Sequence, residues 1–261
     1  MFDNRGRRKV IEELEKIRKE IEKNDALIVK AFEERMMLCE KVAEIKKKNG
    51  LQIRDENREK ELIRKNASRS ENGFEDEISK LYESIFEISR QYQHKLNKDK
   101  NIVLTGMPGC GKSSTGKLLA KKLGYEFFDT DDEIEREIGK SPESIILEDG
   151  EETFRNHERK VVERISENCG CVIATGGGCV LCGENVKNLK KHGIIFFITC
   201  PTEKLSSEKR PLSQGENTLE KMYETRRPIY EKTADHTVSR GDDTESTCDL
   251  IIAKLNEEKD L

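Results

Sequence analysis

The 261-residue chain is 34% hydrophobic and 38% charged, with no tryptophan and 5% aromatic residues. That balance excludes a membrane protein, because the longest aliphatic or aromatic run near the centre, Ile194 to Ile198, falls far short of the ~20 residues a span needs. Net charge is −4; residues 1–97 hold 23 Lys+Arg against 21 Asp+Glu and the remainder is acidic, so neither part offers the basic face that nucleic acid demands.

Met1 to Lys9 is polar and basic with no apolar stretch behind it. No secretory signal is expected, and the cytoplasm is the expected compartment. The eight Cys are then expected as thiols. Composition shifts near residue 98: all five Pro and most Gly follow it. Two domains are expected, 1–97 all-helical and 98–261 α/β, joined by the polar stretch Asn97-Lys98-Asp99-Lys100-Asn101.

In the first, apolar residues recur from Val10 and Leu14 through Ile17, Ile21, Ile28, Leu38, Val42 and Ile45. Helical spacing is sustained over about 40 residues, which makes a helix of about 60 Å. Asn49-Gly50 breaks it. So small a domain cannot cover a helix of that length, and a partner chain is expected to bury the rest. Further helices are expected over Asp55–Lys65 and Phe74–Leu96. Short strands follow at Asn101–Thr105, Phe127-Phe128, Cys171–Ala174 and Ile194–Ile198. Their alternation with helices predicts a parallel sheet covered on both faces.

Gly106-Met-Pro-Gly109-Cys110-Gly111-Lys112-Ser113, followed by Ser114, fits G-x-x-x-x-G-K-[ST] between a strand and a helix. Glycines let backbone N–H groups turn inward around phosphates, and the helix N-terminus adds partial positive charge. Lys112 is expected at the β/γ-phosphates of ATP and Ser113 on Mg²⁺. Three pieces follow in order: Asp129-Thr130-Asp131, Phe154-Arg155-Asn-His-Glu158, and Gly176-Gly177-Gly178. Singly they read as exposed carboxylates, a helix-surface ion pair and a loop.

Together with Arg210-Pro-Leu212 and Arg226-Arg-Pro-Ile-Tyr230, residues 101–258 resemble shikimate kinase. The resemblance implies that Asp131 holds the shikimate hydroxyls and takes the acceptor proton. It implies that Asp129 supports Mg²⁺ through water, that Arg155 and Arg226 clamp the shikimate carboxylate, and that Gly176, Gly177 and Gly178 line the acceptor pocket. Arg210 becomes the lid arginine on the phosphates, beside Gly106, Gly109, Cys110, Gly111, Lys112, Ser113 and Ser114. Paired guanidinium forks suit a planar carboxylate. The strand Ile194–Ile198 ends in Thr199-Cys200, without the usual metal-supporting acid, which makes Asp129 more necessary. The stretch Thr199–Lys209 is short for the family and lacks its further arginine, so a shortened lid is expected.

Polar residues interrupt the helical stripes at Arg18, Arg35, Lys46, Ser89 and Gln93. Arg35 and Lys46 share a face with Cα atoms ~16 Å apart, whereas Arg18 lies about 25 Å from Arg35 and reaches such a site better from a partner chain. Asp55, Arg58 and Glu59 share a face of the second helix. A cation-rich set invites a small dianion; an ordinary charged bundle is the plainer alternative.

With Glu34-Arg35, Lys46 and Arg54-Asp55-Glu-Asn-Arg58-Glu59 at matching spacing, residues 7–96 resemble the all-helical, intertwined chorismate mutases. By that resemblance Arg18 from the neighbouring subunit, Arg35 and Arg58 bind the two carboxylates of chorismate. Lys46 and Gln93 hydrogen-bond the ether oxygen as its bond breaks. Glu59 holds the ring hydroxyl, and Asp55 and Ser89 assist. The rearrangement to prephenate needs no cofactor, metal, nucleophile or proton transfer, only the right conformer and stabilised charge. A homodimer through the helices is implied. Two readings stay open: a kinase with a non-catalytic helical dimerisation or effector module, and a mutase with a regulatory nucleotide-binding domain. Cys169-Gly-Cys171 and Cys179-Val-Leu-Cys182 imitate metal spacing, but the glycine loop lies between them and ordinary thiols are expected. Cys110, within the phosphate loop, is a candidate for oxidation that blocks ATP.

Overall fold

The computed structural model describes residues 4–201 and 218–259. Arg210 and the expected short lid lie outside the described residues. By contacts the chain divides into two compact units, Met1–Leu51 and Gln52–Leu261.

The first unit is a single helix, α1 (Asn4–Lys48), about 68 Å long at 1.5 Å per residue. It ends where the sequence places the Asn49-Gly50 breaker. Its apolar stripe is largely bare: Leu14, Ile17 and Ile21 are each about half exposed, and Leu27 and Ile28 are 65% and 63% exposed.

The second unit opens with α2 (Glu56–Ala67) and α3 (Glu75–Asn97). Asp55 caps α2, its carboxylate accepting the Arg58 N–H at 3.1 Å, the usual way to satisfy a helix's first orphan donors. The strands are β1 (Asn101–Thr105), β2 (Glu126–Asp129), β3 (Cys171–Ala174), β4 (Gly193–Thr199) and β5 (His236–Ser239). All pair in parallel in the order β2-β3-β1-β4-β5. β5 is a strand the sequence did not signal, because His-Thr-Val-Ser is short and half-exposed. Helices α4 (Lys112–Leu123), α5 (Thr130–Ile138), α6 (Pro142–Asp149), α7 (Glu151–Ser166), α8 (Gly183–His192), α9 (Thr218–Thr233) and α10 (Thr244–Lys259) complete the unit.

Successive β1 residues feed opposite faces of the sheet. Ile102 and Leu104 join a core with Leu119, Phe196, Tyr230 and Ile251. Val103 joins another with Ile134, Phe154, Val162 and Ile173. Apolar residues on both faces are what a parallel sheet between helical layers requires.

The expected division after residue 97 is not where contacts divide the chain. α3 belongs to the unit that holds the sheet, because its polar face bonds to strand residues: Arg90 and Gln91 donate to Glu126 at 2.8 and 3.0 Å, and the His94 ring meets Tyr125 edge-on at 5.1 Å. Helical periodicity marks apolar faces and is silent about such polar seams. Among the described residues no helix is long and apolar enough to cross a membrane.

Candidate active sites

The loop between β1 and α4 wraps one end of a cavity of about 350 Å³. Its walls are Gly109, Gly111, Lys112, Ser113, Ser114, Asp129, Asp131, Thr175, Gly176, Gly177 and Arg240. These come from the C-terminal ends of β1, β2, β3 and β5, where open α/β sheets bind ligands. Gly106 sits under the loop with φ +146°, and a Cβ there would fall 2.6 Å from the Ile198 carbonyl oxygen; only glycine lets the chain leave β1 at that angle beside β4. Cys110 is fully buried, its sulfur 3.8 Å from Lys112 Nζ, so it packs beneath the loop and does not line the cavity. Burial removes the basis for ready oxidation there.

Lys112 Nζ donates to the carbonyls of Gly106 at 2.9 Å and Met107 at 2.8 Å, which holds the ammonium at the cavity wall. Ser113 Oγ donates to Asp129 Oδ2 at 2.5 Å, and Asp129 Oδ1 accepts the Asp131 N–H at 3.0 Å. A hydroxyl and a carboxylate in contact on one wall are hard oxygen donors, and they fit Mg²⁺.

Across from the phosphate loop, β3 runs into three glycines. The Gly176 N–H donates to Thr130 Oγ1 at 2.8 Å. A Cβ on Gly176 would lie 2.8 Å from the Asp131 carboxylate, and one on Gly178 would lie 2.6 Å from the Arg155 guanidinium. The bare backbone is what allows these two charged groups to approach. Arg155 Nη1 lies 3.1 Å from both oxygens of Glu158, and Arg155 Nη2 is 2.9 Å from Glu151. Burial lifts the Glu158 carboxyl to about 7; Arg155 pulls it back, and the nearby Asp131 charge adds to the rise. Arg226, half-buried on α9, lies outside the cavity walls. It acts on Tyr230, whose hydroxyl donates to the Gly177 carbonyl at 2.5 Å. Burial pushes the Tyr230 hydroxyl up to about 12, with Arg226 opposing.

Of the residues expected to bind chorismate, Arg18, Arg35 and Lys46 lie on α1. Arg18 is exposed; Arg35 and Lys46 are half-buried, and Arg35 donates to Cys39 Sγ at 3.7 Å. The others lie in the second unit. Asp55 serves as the α2 cap, Arg58 is exposed, and Glu59 accepts from Arg90 Nη1 at 2.7 Å. Ser89 and Gln93 are buried on α3; Ser89 Oγ donates to Ile85 O at 2.6 Å and Gln93 Nε2 to Ser89 O at 3.1 Å. Gln93 Oε1 is buried without a partner, an orphan a bound molecule would relieve. A cavity of about 230 Å³ between α2 and α3 is lined by Arg54, Glu56, Glu59, Lys60, Ile63, Glu83, Phe86 and Arg90. Of the expected mutase residues, Glu59 alone stands on its walls.

Three residues escaped the reading of the sequence. Arg240, just beyond β5, approaches Gly109 O at 3.5 Å and Cys200 Sγ at 3.7 Å; it is invisible until β5 is known to be a strand. Thr175 closes the end of β3 through Leu104 O at 3.2 Å. Arg90 faces a cavity from a position that reads as an exposed helix charge. Among the described residues no group of three His, Cys, Asp or Glu could hold a metal, and the eight cysteines are unpaired.

A glycine loop opening a helix, with a lysine and a serine facing a carboxylate at the C-terminal edge of a parallel sheet, defines a P-loop phosphotransferase. Residues 108–256 match the shikimate kinase family, over half the chain, and residues 17–94 match chorismate mutase type II. The chain belongs to the shikimate kinase family and carries a chorismate mutase domain ahead of the kinase domain. It is 42% identical over 161 residues to a shikimate kinase of Thermodesulfovibrio yellowstonii, covering 59% of this chain and 93% of that one. It is 39% identical over 168 residues to one of Caldicellulosiruptor bescii, covering 61% and 92%. The structure of shikimate kinase from Acinetobacter baumannii in complex with shikimate superposes with a TM-score of 0.60 at 32% identity, over 64% of this chain and 98% of that one.

Proposed function

We propose that residues 98–261 transfer the γ-phosphate of ATP to the 3-hydroxyl of shikimate and that residues 1–97 rearrange chorismate to prephenate. The observation that carries the first half is a single cavity with Lys112 and Ser113 on one wall and Asp131, Gly176 and Gly177 on the other. Donor and acceptor groups share one cleft, as in-line transfer requires.

In this reading the acceptor hydroxyl oxygen attacks the γ-phosphorus, the bond to the β,γ-bridging oxygen breaks, and Asp131 takes the hydroxyl proton. Lys112 and the loop N–H groups hold the phosphate oxygens, joined by Arg240 and, from its lid segment, Arg210. Arg155, fixed by Glu158 and Glu151, and Arg226 hold the acceptor carboxylate. Ser113 and, through water, Asp129 would hold Mg²⁺, which supplies charge neutralisation on the phosphates. In the helical half, Arg35, Arg58 and the partner's donated Arg18 would hold two carboxylates, with Lys46 and Gln93 on the ether oxygen and Glu59 on the ring hydroxyl.

The bare stripe on α1 supports a homodimer: apolar side chains half to two-thirds exposed at helical spacing gain roughly 1–2 kcal/mol each on full burial, the exposed share of a whole side chain's value. Nothing in the composition calls for nucleic acid or a membrane, and a cytoplasmic enzyme of aromatic biosynthesis fits. Purified full-length protein assayed separately with ATP plus shikimate and with chorismate is expected to consume both substrates. No ADP formation with shikimate, or no loss of chorismate, removes the corresponding half.

A further inference from the structure

Arg90 lies on α3, between α2 and the head of β2. Its side chain is 13% exposed, with Nη1 2.7 Å from Glu59 Oε2 and Nη2 2.8 Å from Glu126 Oε1; Nε adds a 3.3 Å bond to the same Glu126 oxygen. Gln91 Nε2 donates to the other Glu126 oxygen at 3.0 Å, and Gln91 Oε1 accepts the Cys169 N–H at 3.2 Å. The Glu126 carboxylate is therefore gripped on both oxygens, at the first residue of β2, a strand paired along its length with β3. Glu59, in the first turn of α2, is the other partner, with its side chain 19% exposed. One guanidinium serves two carboxylates, and both Glu59 and Arg90 line the α2–α3 cavity.

A salt bridge that only docked α3 on the sheet would need Glu126 and not Glu59. Holding both spends a planar fork on fixing the direction of a cavity carboxylate, which a lysine's point charge cannot do for two partners. Burial works against charge on Arg90, but Glu126 and Glu59 outweigh it and raise its pKa above the ordinary arginine value.

We propose that Glu126 and Arg90 are positioning residues for the helical module: a strand residue of the kinase domain holds Arg90, and Arg90 aims the Glu59 carboxylate at the hydroxyl of the mutase substrate. The proposal rests on the mutase reading of Glu59. It makes the kinase domain a structural part of the neighbouring site, although the two reactions share no intermediate step.

Because Glu59 would bind the hydroxyl alike in ground and transition states, the effect falls on KM and spares kcat. In the full chain, Arg90→Met is expected to raise KM for chorismate roughly tenfold with kcat within about twofold, the loss of one charged hydrogen-bond partner. Arg90→Lys recovers part of it, Glu126→Gln raises KM about threefold, and the double variant Arg90→Met/Glu126→Gln equals Arg90→Met alone. A chorismate analogue lacking the ring hydroxyl shows no such penalty. Shikimate phosphorylation, measured on each sample, reports that the protein is folded. Unchanged KM in Arg90→Met, additive losses in the double variant, or an equal penalty on the analogue overturns the relay. If Arg90→Met fails to fold, Arg90→Lys and Glu126→Gln decide by the same split. Wild-type protein inert toward chorismate overturns the mutase reading and the relay with it; active wild type with indifferent variants overturns the relay alone.

Discussion

The two halves of the chain prepare their sites differently. In the kinase domain, residues far apart in sequence converge because four parallel strands end at one edge, and one chain supplies the cavity's walls. In the helical half, the expected ligands are strung along rods. α1 keeps its apolar stripe exposed, Arg58 points to solvent, and Gln93 carries an orphaned oxygen. A sheet assembles a site within a chain; long helices leave part of the work to assembly.

The comparison breaks most sharply at Lys112. Lys112→Ala is expected to lower kcat for shikimate phosphorylation about a thousandfold, the scale of losing a preorganised charge on a transferring phosphoryl group, with chorismate turnover unchanged in the same sample. Parallel loss of both activities would show that the halves are not separate machines.

The next test strikes the helices. In the proposed dimer, Ile17→Glu with Ile21→Glu would place four charges on the exposed stripe and remove several kcal/mol of apolar burial. Sedimentation should show monomers, and mutase turnover should fall about a hundredfold while kinase turnover holds. Dimers that survive the change would place the interface elsewhere.

Gly178→Ala sharpens the acceptor side. The added methyl falls 2.6 Å from the Arg155 guanidinium, so the arginine must shift. KM for shikimate should rise about tenfold, with a smaller change in KM for ATP. Initial-rate kinetics on both substrates distinguish this from general damage.

The smallest effect is on pH. Glu158 stands near 7, above its ordinary value, because burial disfavours its charge. Below that pH it is mostly neutral and Arg155 faces the acceptor carboxylate with its full charge; above it, Glu158 ionises and competes. KM for shikimate should therefore rise about threefold from pH 6 to 8, and Glu158→Gln should flatten the profile. A carboxyl raised in the folded state holds its proton longer than in the unfolded chain, so it costs stability as pH climbs from about 4.5 to 7.

Much of the kinase site was legible in the sequence because each piece is local: the loop from Gly106 to Ser113, the Asp129–Asp131 pair and the three glycines each fold as short segments at strand ends. Arg240 was not legible, since its place depends on β5, a four-residue strand paired only with β4. The extent of α1 was readable from its period. The seam between α3 and the sheet was not, because Arg90, Gln91 and His94 read as polar residues of an exposed helix face until Glu126, Cys169 and Asp99 are brought beside them. Arg58 shows the limit in the other direction: its place in the sequence gives its helix, and the structure shows only an exposed side chain.

Subunit complementation tests that division of labour most directly. Arg18→Ala and Arg35→Ala chains, each inert toward chorismate as homodimers, are co-expressed with different tags and the heterodimer is isolated. In a two-fold dimer with Arg18 donated across the interface, one of its two sites regains every native residue, and about half of wild-type mutase turnover should return. A heterodimer as inert as its parents would place Arg18 in its own chain's site and contradict the account.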